Sequence, residues 1–267
     1  MISVNQSMQD KVVIVTGASV GIGAALAREL ARRGAKVVLA ARTETALQDV
    51  ARDCPGSLVI PTDVTDSAAC EALIVCTIEH FGRLDVLVNN AGQSMLSRFE
   101  DIEDFSIFEK LLQVNYLSAV YCTRAALPHL KASKGLLVGI SSVAGKTGIP
   151  LRTGYSASKH ALQGFFDSLR IELMGTGVGV SMISPAFVDT GIRERSFGPD
   201  GKPLGRDPLL GKKIMSAEEC ARQIADVIAA RRRELIIGTS GRLAMLGKLI
   251  APRLVDTLTR RKIEHGK

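Results

Sequence analysis

The feature that most constrains this chain is a regular alternation of two kinds of segment. KVVIVT (11–16), AKVVLA (35–40), SLVI (57–60), LDVLV (84–88), GLLVGI (135–140) and GVSMIS (179–184) are short, rich in β-branched residues and almost free of charge. Runs of this kind suit strands buried on both faces of a parallel sheet. Between them lie stretches with helical signals. GAALARELARRG stops at Gly34, DSAACEALIVCTIEHFG starts at a capping Asp66 and stops at Gly82, one long helix is expected over 105–131, and another follows Tyr155. A seventh strand is expected at ELIIG (234–238). Such alternation implies right-handed βαβ crossovers and an α/β doubly wound parallel sheet of about seven strands, with helices on both faces. With no linker, internal repeat or low-complexity tract, the 267 residues read as a single domain.

Composition narrows the function classes. Hydrophobic residues make up 46% and charged residues 23% of the chain, as in water-soluble globular proteins. The longest uncharged runs, 12–27 and 173–188, are both shorter than the roughly 20 residues a bilayer demands. No basic segment followed by an apolar core opens the sequence, so no signal peptide is expected. Five cysteines without metal-like spacing point to reduced thiols and a cytoplasmic protein. The net charge of +7 is spread along the chain until the C-terminal tail. With no Trp and three Tyr there is no aromatic-basic interleaving of the kind that stacks bases, so no nucleic-acid partner is expected. The four histidines have no metal-ligand spacing, and no metal is expected.

TGASVGIG (16–23) joins the first strand to the first helix. Gly17 permits a tight turn, Gly21 a close approach of backbone to phosphate, and Gly23 close packing of helix on strand. The helix start then offers free N–H groups and a positive dipole end to a diphosphate. An NAD enzyme usually has an acid at the end of the second strand for the ribose 2′-hydroxyl. Here that position is Ala41, followed by Arg42, whose guanidinium suits a 2′-phosphate, with Ser19 as a further donor. NADP(H) is therefore expected in preference to NAD(H). Tyr155 and Lys159 stand one helical turn apart on one face, thirteen residues after Ser142.

TGASVGIG, Asp63-Val64, NNAG (89–92), Asn115, Ser142, YSASK (155–159) and SPAFVDT (184–190), in that order, resemble the short-chain dehydrogenase/reductase family. The resemblance spans roughly residues 10–190. It implies a Rossmann-type fold and an NAD(P)-dependent alcohol/carbonyl oxidoreductase with Asn115, Ser142, Tyr155 and Lys159 as catalytic residues. Tyr155 would exchange a proton with the substrate oxygen, Ser142 would hydrogen-bond that oxygen, and Lys159 would lower the phenol pKa and hold the nicotinamide ribose. Asn115 would support Lys159 through a water, while Ser141 would be structural. Cofactor contacts are implied for Gly17, Ser19, Gly21, Ile22, Gly23, Arg42, Asp63, Val64, Asn89, Ala91, Gly92, Tyr155, Lys159, Pro185, Val188 and Thr190. Among these, Asp63 would lie against the adenine, Asn89 nearest its ribose and Thr190 by the carboxamide. Two positions depart from the pattern: Val20 stands where many NADP-preferring relatives have a base, and Ala186 replaces a glycine.

YSASKHALQGFFDSLRIEL is similar to hydroxysteroid- and retinol-dehydrogenase-like members, which implies a bulky apolar alcohol or ketone for a carbonyl reductase or alcohol dehydrogenase. A 3-oxoacyl thioester reductase and a non-catalytic dinucleotide sensor are the alternatives. Residues 189–213, rich in Gly, Pro and charge, read as a mobile substrate lid. In the tail, 241–267, Leu243, Leu246, Ile250, Leu254 and Leu258 form a stripe among basic residues, with a kink expected at Pro252. Packing or pocket closure is preferred there over contact with a membrane surface. The family resemblance also implies a homodimer or homotetramer.

Overall fold

Alternate residues of the central strands face opposite sides of one sheet and fill two separate cores. In β1 (Val12–Thr16), Val13 and Val15 join one core and Val12 and Ile14 the other. In β2 (Lys36–Ala41), Val37 and Leu39 divide from Val38 and Ala40 in the same way. Period-two alternation with apolar residues in both registers is what a sheet covered on both faces requires. The computed structural model describes residues 8–207, 214–238, 245, 247–248 and 250–264.

The chain continues through α1 (Gly21–Arg32), α2 (Glu44–Ala51), β3 (Leu58–Pro61), α3 (Ser67–Phe81), β4 (Val86–Asn89), α4 (Ser106–Leu112), α5 (Ser118–Ser133), β5 (Leu136–Ile140), α6 (Thr153–Glu172) and β6 (Gly179–Pro185). A two-residue strand β7 (Val188–Asp189) pairs in parallel with β8 (Met215–Ser216). Then come α7 (Ala217–Ala229), β9 (Glu234–Ile237) and a last helix, α8 (Pro252–Glu264). The main sheet runs β3-β2-β1-β4-β5-β6-β9 with every neighbouring pair parallel. Leu26 and Leu30 of α1 and Ile224 and Ile228 of α7 fill one core. Leu73 of α3, Ala126 of α5, and Leu162 and Phe166 of α6 fill the other.

Local signals set the ends of these elements. The Asp66 carboxylate accepts from the Ala68 amide at 2.9 Å to open α3, and Gly82 closes it in the left-handed region with φ 73°. The Ser216 hydroxyl accepts from the Glu219 amide at 3.1 Å to open α7, whose first turn carries Glu218 and Glu219 against the dipole.

Three expectations need correction. The helix expected over 105–131 runs over 106–133 but is not uniform: a π-type turn at Gln113–Leu117 divides it into α4 and α5. At Pro252 the disruption is sharper than a kink: the helical residues 245, 247–248 and 250 end before Ala251, and Pro252 is the first residue of α8, where its missing N–H is no loss. The apolar stripe of the tail is not its buried face: Ile250, Leu254 and Leu258 are exposed, whereas Val255 is buried. Leu243 and Leu246 lie outside the described residues.

Sheet order reverses at β1, from which α1 crosses to β2 on one side while β4 lies on the other. A crevice opens beyond the carboxyl ends of strands at such a switch point. Gly17, Asn90 and Ser142 all follow carboxyl ends of strands, so the fold delivers the predicted residues to one rim.

Candidate active site

The glycine turn is set by contacts that no side chain could survive. Gly17 and Gly21 adopt φ of 66° and 58°, in the left-handed region. A Cβ on Gly17 would lie 2.9 Å from the Ala91 Cα, and one on Gly21 would lie 2.9 Å from the Thr190 Cβ. A Cβ on Gly23 would overlap the Gly17 carbonyl oxygen. Thr16 locks the turn to the next strand: its hydroxyl accepts from the amides of Asn90 at 3.0 Å and Ala91 at 3.1 Å. The Asn90 side-chain amide donates to the Thr16 carbonyl at 2.8 Å. No side chain caps α1 at Val20, so its first-turn N–H groups remain available to an anion. The shape fits a diphosphate.

Other predicted cofactor residues ring this cradle. Ser19 and Ile22 are half-buried beside it, and Thr190 faces Gly21. Arg42 follows β2 and is exposed. Asp63 accepts from the Thr65 amide at 2.9 Å and hydroxyl at 2.7 Å. Those bonds, with Arg42 nearby, hold its carboxyl below the usual carboxylate range. Val64 is buried next to it, and Asn89 is buried with its side chain donating to the Thr123 hydroxyl at 3.4 Å. Pro185 and Val188 line the cleft that leads from the cradle to Tyr155. Gly92 leaves the space in which an added Cβ would sit 3.0 Å from the Asn115 Oδ1 and 3.4 Å from the Lys159 Nζ.

Ser142 follows β5 and accepts from the Ala144 amide at 3.1 Å, which turns the chain sharply and aims its hydroxyl at the cleft. Tyr155 and Lys159 lie in the first two turns of α6, both buried. The Lys159 ammonium donates to the Ile140 carbonyl at 3.0 Å and lies 5.9 Å from the Tyr155 ring centroid. Asn115 sits in the π-type turn, a device common at functional positions. Its side-chain amide clasps the Gln93 backbone, accepting from the amide at 2.8 Å and donating to the carbonyl at 2.9 Å, and also donates to the Ser158 hydroxyl at 2.8 Å. The four residues expected to act together converge. Ser141 is buried, with its amide bonded to the Ile183 carbonyl at 2.7 Å, and it also borders the cleft.

The electrostatics differ from expectation in one respect. Burial pushes the Tyr155 phenol up, and the groups opposing this are the Ser142 hydrogen bond and the charge of Arg152, not Lys159. Lys159 is itself lowered to about 8 by burial, so its ammonium is a less secure cation than its proximity implied. Arg152 was not anticipated. It sits just ahead of α6 in a loop with no periodic pattern to mark it. The cleft between cradle and Tyr155 has a volume of about 430 Å³ and mostly apolar walls, among them Val143, Ile149, Phe187 and Ile192. Val255, Leu258 and Thr259 of α8 close one side. The described part of the expected lid, 189–207, is not a structureless loop. Its backbone is tied by Phe197 to Ser94 at 2.9 Å and Gly205 to Glu194 at 2.9 Å, and Arg193 pairs with Asp207 at 2.6 Å. Residues 208–213 lie outside the described residues. Among the described residues no cluster of His, Cys, Asp and Glu is arranged for a metal, and none of the described cysteines is bonded to another. His265 is outside the described residues.

A glycine cradle at the switch point of a parallel sheet, opening into a cleft with a buried tyrosine and lysine, defines a dinucleotide-binding oxidoreductase. A family model described as short chain dehydrogenase matches residues 11–199, and the chain belongs to that family. Its members are oxidoreductases of CH–OH groups that bind NAD(P). The chain is 36% identical over 263 residues to 11-beta-hydroxysteroid dehydrogenase 1A of Arabidopsis thaliana, covering 94% of this chain and 75% of that protein. A short-chain dehydrogenase from Streptomyces avermitilis has a similar structure, with a TM-score of 0.80, 26% identity, and coverage of 97% of this chain and 99% of that one. An alcohol dehydrogenase of Thermococcus sibiricus, complexed with 5-hydroxy-NADP, is similar at a TM-score of 0.73 and 27% identity, covering 86% and 96%.

Proposed function

We propose that the chain is an NADP(H)-dependent oxidoreductase that interconverts a bulky apolar ketone and its alcohol. The observation that carries this reading is the single cleft running from the glycine cradle to the Ser142–Tyr155 pair. The cofactor, when bound, supplies or accepts the hydride. Gly17, Gly21 and Gly23 give its diphosphate room, and the first-turn amides of α1 donate to it. The exposed Arg42, with no acid at Ala41, offers a guanidinium to a 2′-phosphate.

Ser142 and Tyr155 both line the cleft, and the substrate oxygen is held between their hydroxyls. In reduction the phenol gives its proton to that oxygen as negative charge builds there, and Ser142 donates to the same atom. In oxidation the phenolate takes the proton back. Lys159 reaches the gap beside Gly92 and holds the ribose there, and Asn115 fixes the Gln93 backbone that borders the gap. The apolar walls favour a large hydrophobic substrate, which the identity with a hydroxysteroid dehydrogenase also favours over a 3-oxoacyl thioester. Retention of serine, tyrosine and lysine in contact range speaks against a cofactor sensor without turnover. We further place the enzyme in the cytoplasm, as a homodimer or homotetramer.

The test is a panel of steroid, retinoid and aryl ketones offered to the purified chain with NADPH or NADH. Consumption of NADPH in preference to NADH, with the preference reduced at least about tenfold in Arg42→Ala, is the expected result. An unchanged ratio in that variant would remove the cofactor assignment.

A further inference from the structure

Two arginines enter a cleft whose other lining residues are uncharged. Arg152 lies with its guanidinium 5.9 Å from the ring centroids of both Tyr155 and Phe187, and Nη1 donates to the Ser94 hydroxyl at 3.3 Å. Among the described residues it forms no ion pair. Arg193 lines the same cleft at 2% exposure. Its Nε pairs with Asp207 at 2.6 Å and its Nη1 donates to the Val188 carbonyl at 3.1 Å. Among the described residues its Nη2 is buried without a hydrogen-bond partner, and the exposed Asp189 carboxylate stands 3.9 Å from it.

A guanidinium drawn partly out of water without a counter-ion is costly, and so is a buried donor without an acceptor. Burial holds the Arg152 guanidinium below its ordinary range; the Tyr155 phenol and Asp207 oppose this, and the charge of Arg193 adds to it. Arg152 also acts on the Tyr155 phenol, but that role needs neither Arg193 nor its unpartnered Nη2. Both costs are relieved at once by an acceptor-rich anion within the cleft.

We propose that Arg152 and Arg193 form an oxyanion subsite in the substrate cleft, so that the preferred substrate is an apolar ketone or alcohol that carries a carboxylate. The proposal rests on the reading of this cleft as the place where a carbonyl compound is reduced.

The experiment uses aryl keto acids of graded chain length and their methyl esters, with the full chain and NADPH. The acid of best length is favoured over its ester at least about tenfold in kcat/KM, the worth of one charge-assisted pair. In Arg152→Met this acid-to-ester ratio collapses towards unity, and in Arg193→Lys, which keeps a charge for Asp207, it falls part of the way. The ratio is read within each variant, so a general loss of activity or of folded protein cancels. An acid-to-ester ratio of unity in the unaltered chain would overturn the subsite, as would a ratio unmoved by Arg152→Met. A raised KM for NADPH with an unmoved ratio would assign the arginines to the cofactor diphosphate and overturn it too. If neither probe turns over, calorimetric binding to the NADPH-loaded chain decides. An acid that binds more tightly than its ester, and loses that advantage in Arg152→Met, sustains the subsite apart from the proposed reaction, and equal binding ends it.

Discussion

The phenol of Tyr155 is raised by burial, and this fixes the direction in which the group is ready to work. Above its ordinary value it stays protonated through the neutral range, so reduction, which consumes the phenolic proton, should run undiminished from pH 6 to 8. Oxidation needs the phenolate and should gain rate as pH climbs; initial-rate profiles in both directions check this, and an oxidative rate that falls with rising pH would contradict it. Lys159 carries a second consequence. Its value in the folded chain, about 8, lies below the ordinary 10.5, so between those values the unfolded chain holds more protons and stability rises with pH. Below that window the buried ammonium is a standing cost. Lys159→Met should therefore stabilise the fold at pH 7 by on the order of 1–3 kcal/mol, with the lost Ile140 bond set against the relief, while abolishing turnover. Thermal unfolding at pH 7 and pH 10 tests this: a variant less stable than the parent at pH 7, or a difference that does not shrink at pH 10, would contradict it. The tyrosine, lysine and serine were legible because their spacing is carried by one helix and one strand end. Arg152 and Arg193 were not, because nothing in a loop sequence tells which side chains a distant segment will bury.

At the scale of elements the turn into α1 and the π-type turn at Asn115 do most to position the chemistry. Gly23→Ala places a methyl on the Gly17 carbonyl oxygen, which is backbone and cannot swing aside, and 2.5 Å from the Asn90 side-chain amide that is bonded to the Thr16 carbonyl. Dinucleotide binding should weaken by at least about tenfold while the chain stays folded, since the overlap falls on the turn and not on the core. Fluorescence titration with NADPH checks it, and unaltered binding would contradict it. Asn115→Ala removes three hydrogen bonds that hold Gln93 and Ser158. It should cost about 1–3 kcal/mol in denaturant unfolding, and turnover should fall with it. The parallel strands were legible within a residue or two because they must be apolar on both faces. The π-type turn between α4 and α5 was not, because it inserts a residue without any glycine or proline to announce it. The cap at Asp66 and the stop at Gly82 were legible because each signal acts through its own backbone.

At the scale of the whole molecule, segments far apart in sequence close one cleft. Thr190, Ile192 and Arg193 form one wall, and Val255, Leu258 and Thr259 of α8 another. Truncation before Pro252 should raise KM for a bulky ketone by about tenfold, because apolar substrate surface that α8 covers is then left in water. The affinity for NADPH should stay unaltered. Steady-state kinetics on the truncated chain decides this, and an unaltered KM would detach the tail from the cleft. The tail was legible as amphipathic, but its inward face was not, since Leu254 and Leu258 share the helical spacing and only packing brings Val255 and Leu258 to the cleft and leaves Leu254 out. The central claim, that the Tyr155 phenol trades a proton with a carbonyl oxygen beside a bound nicotinamide, has one direct measurement. It is NADPH consumption in a single turnover by the parent chain and by Tyr155→Phe, each first shown by fluorescence to bind NADPH with similar affinity. The account predicts that the variant is slower by at least about 10²-fold, and equal rates would contradict it.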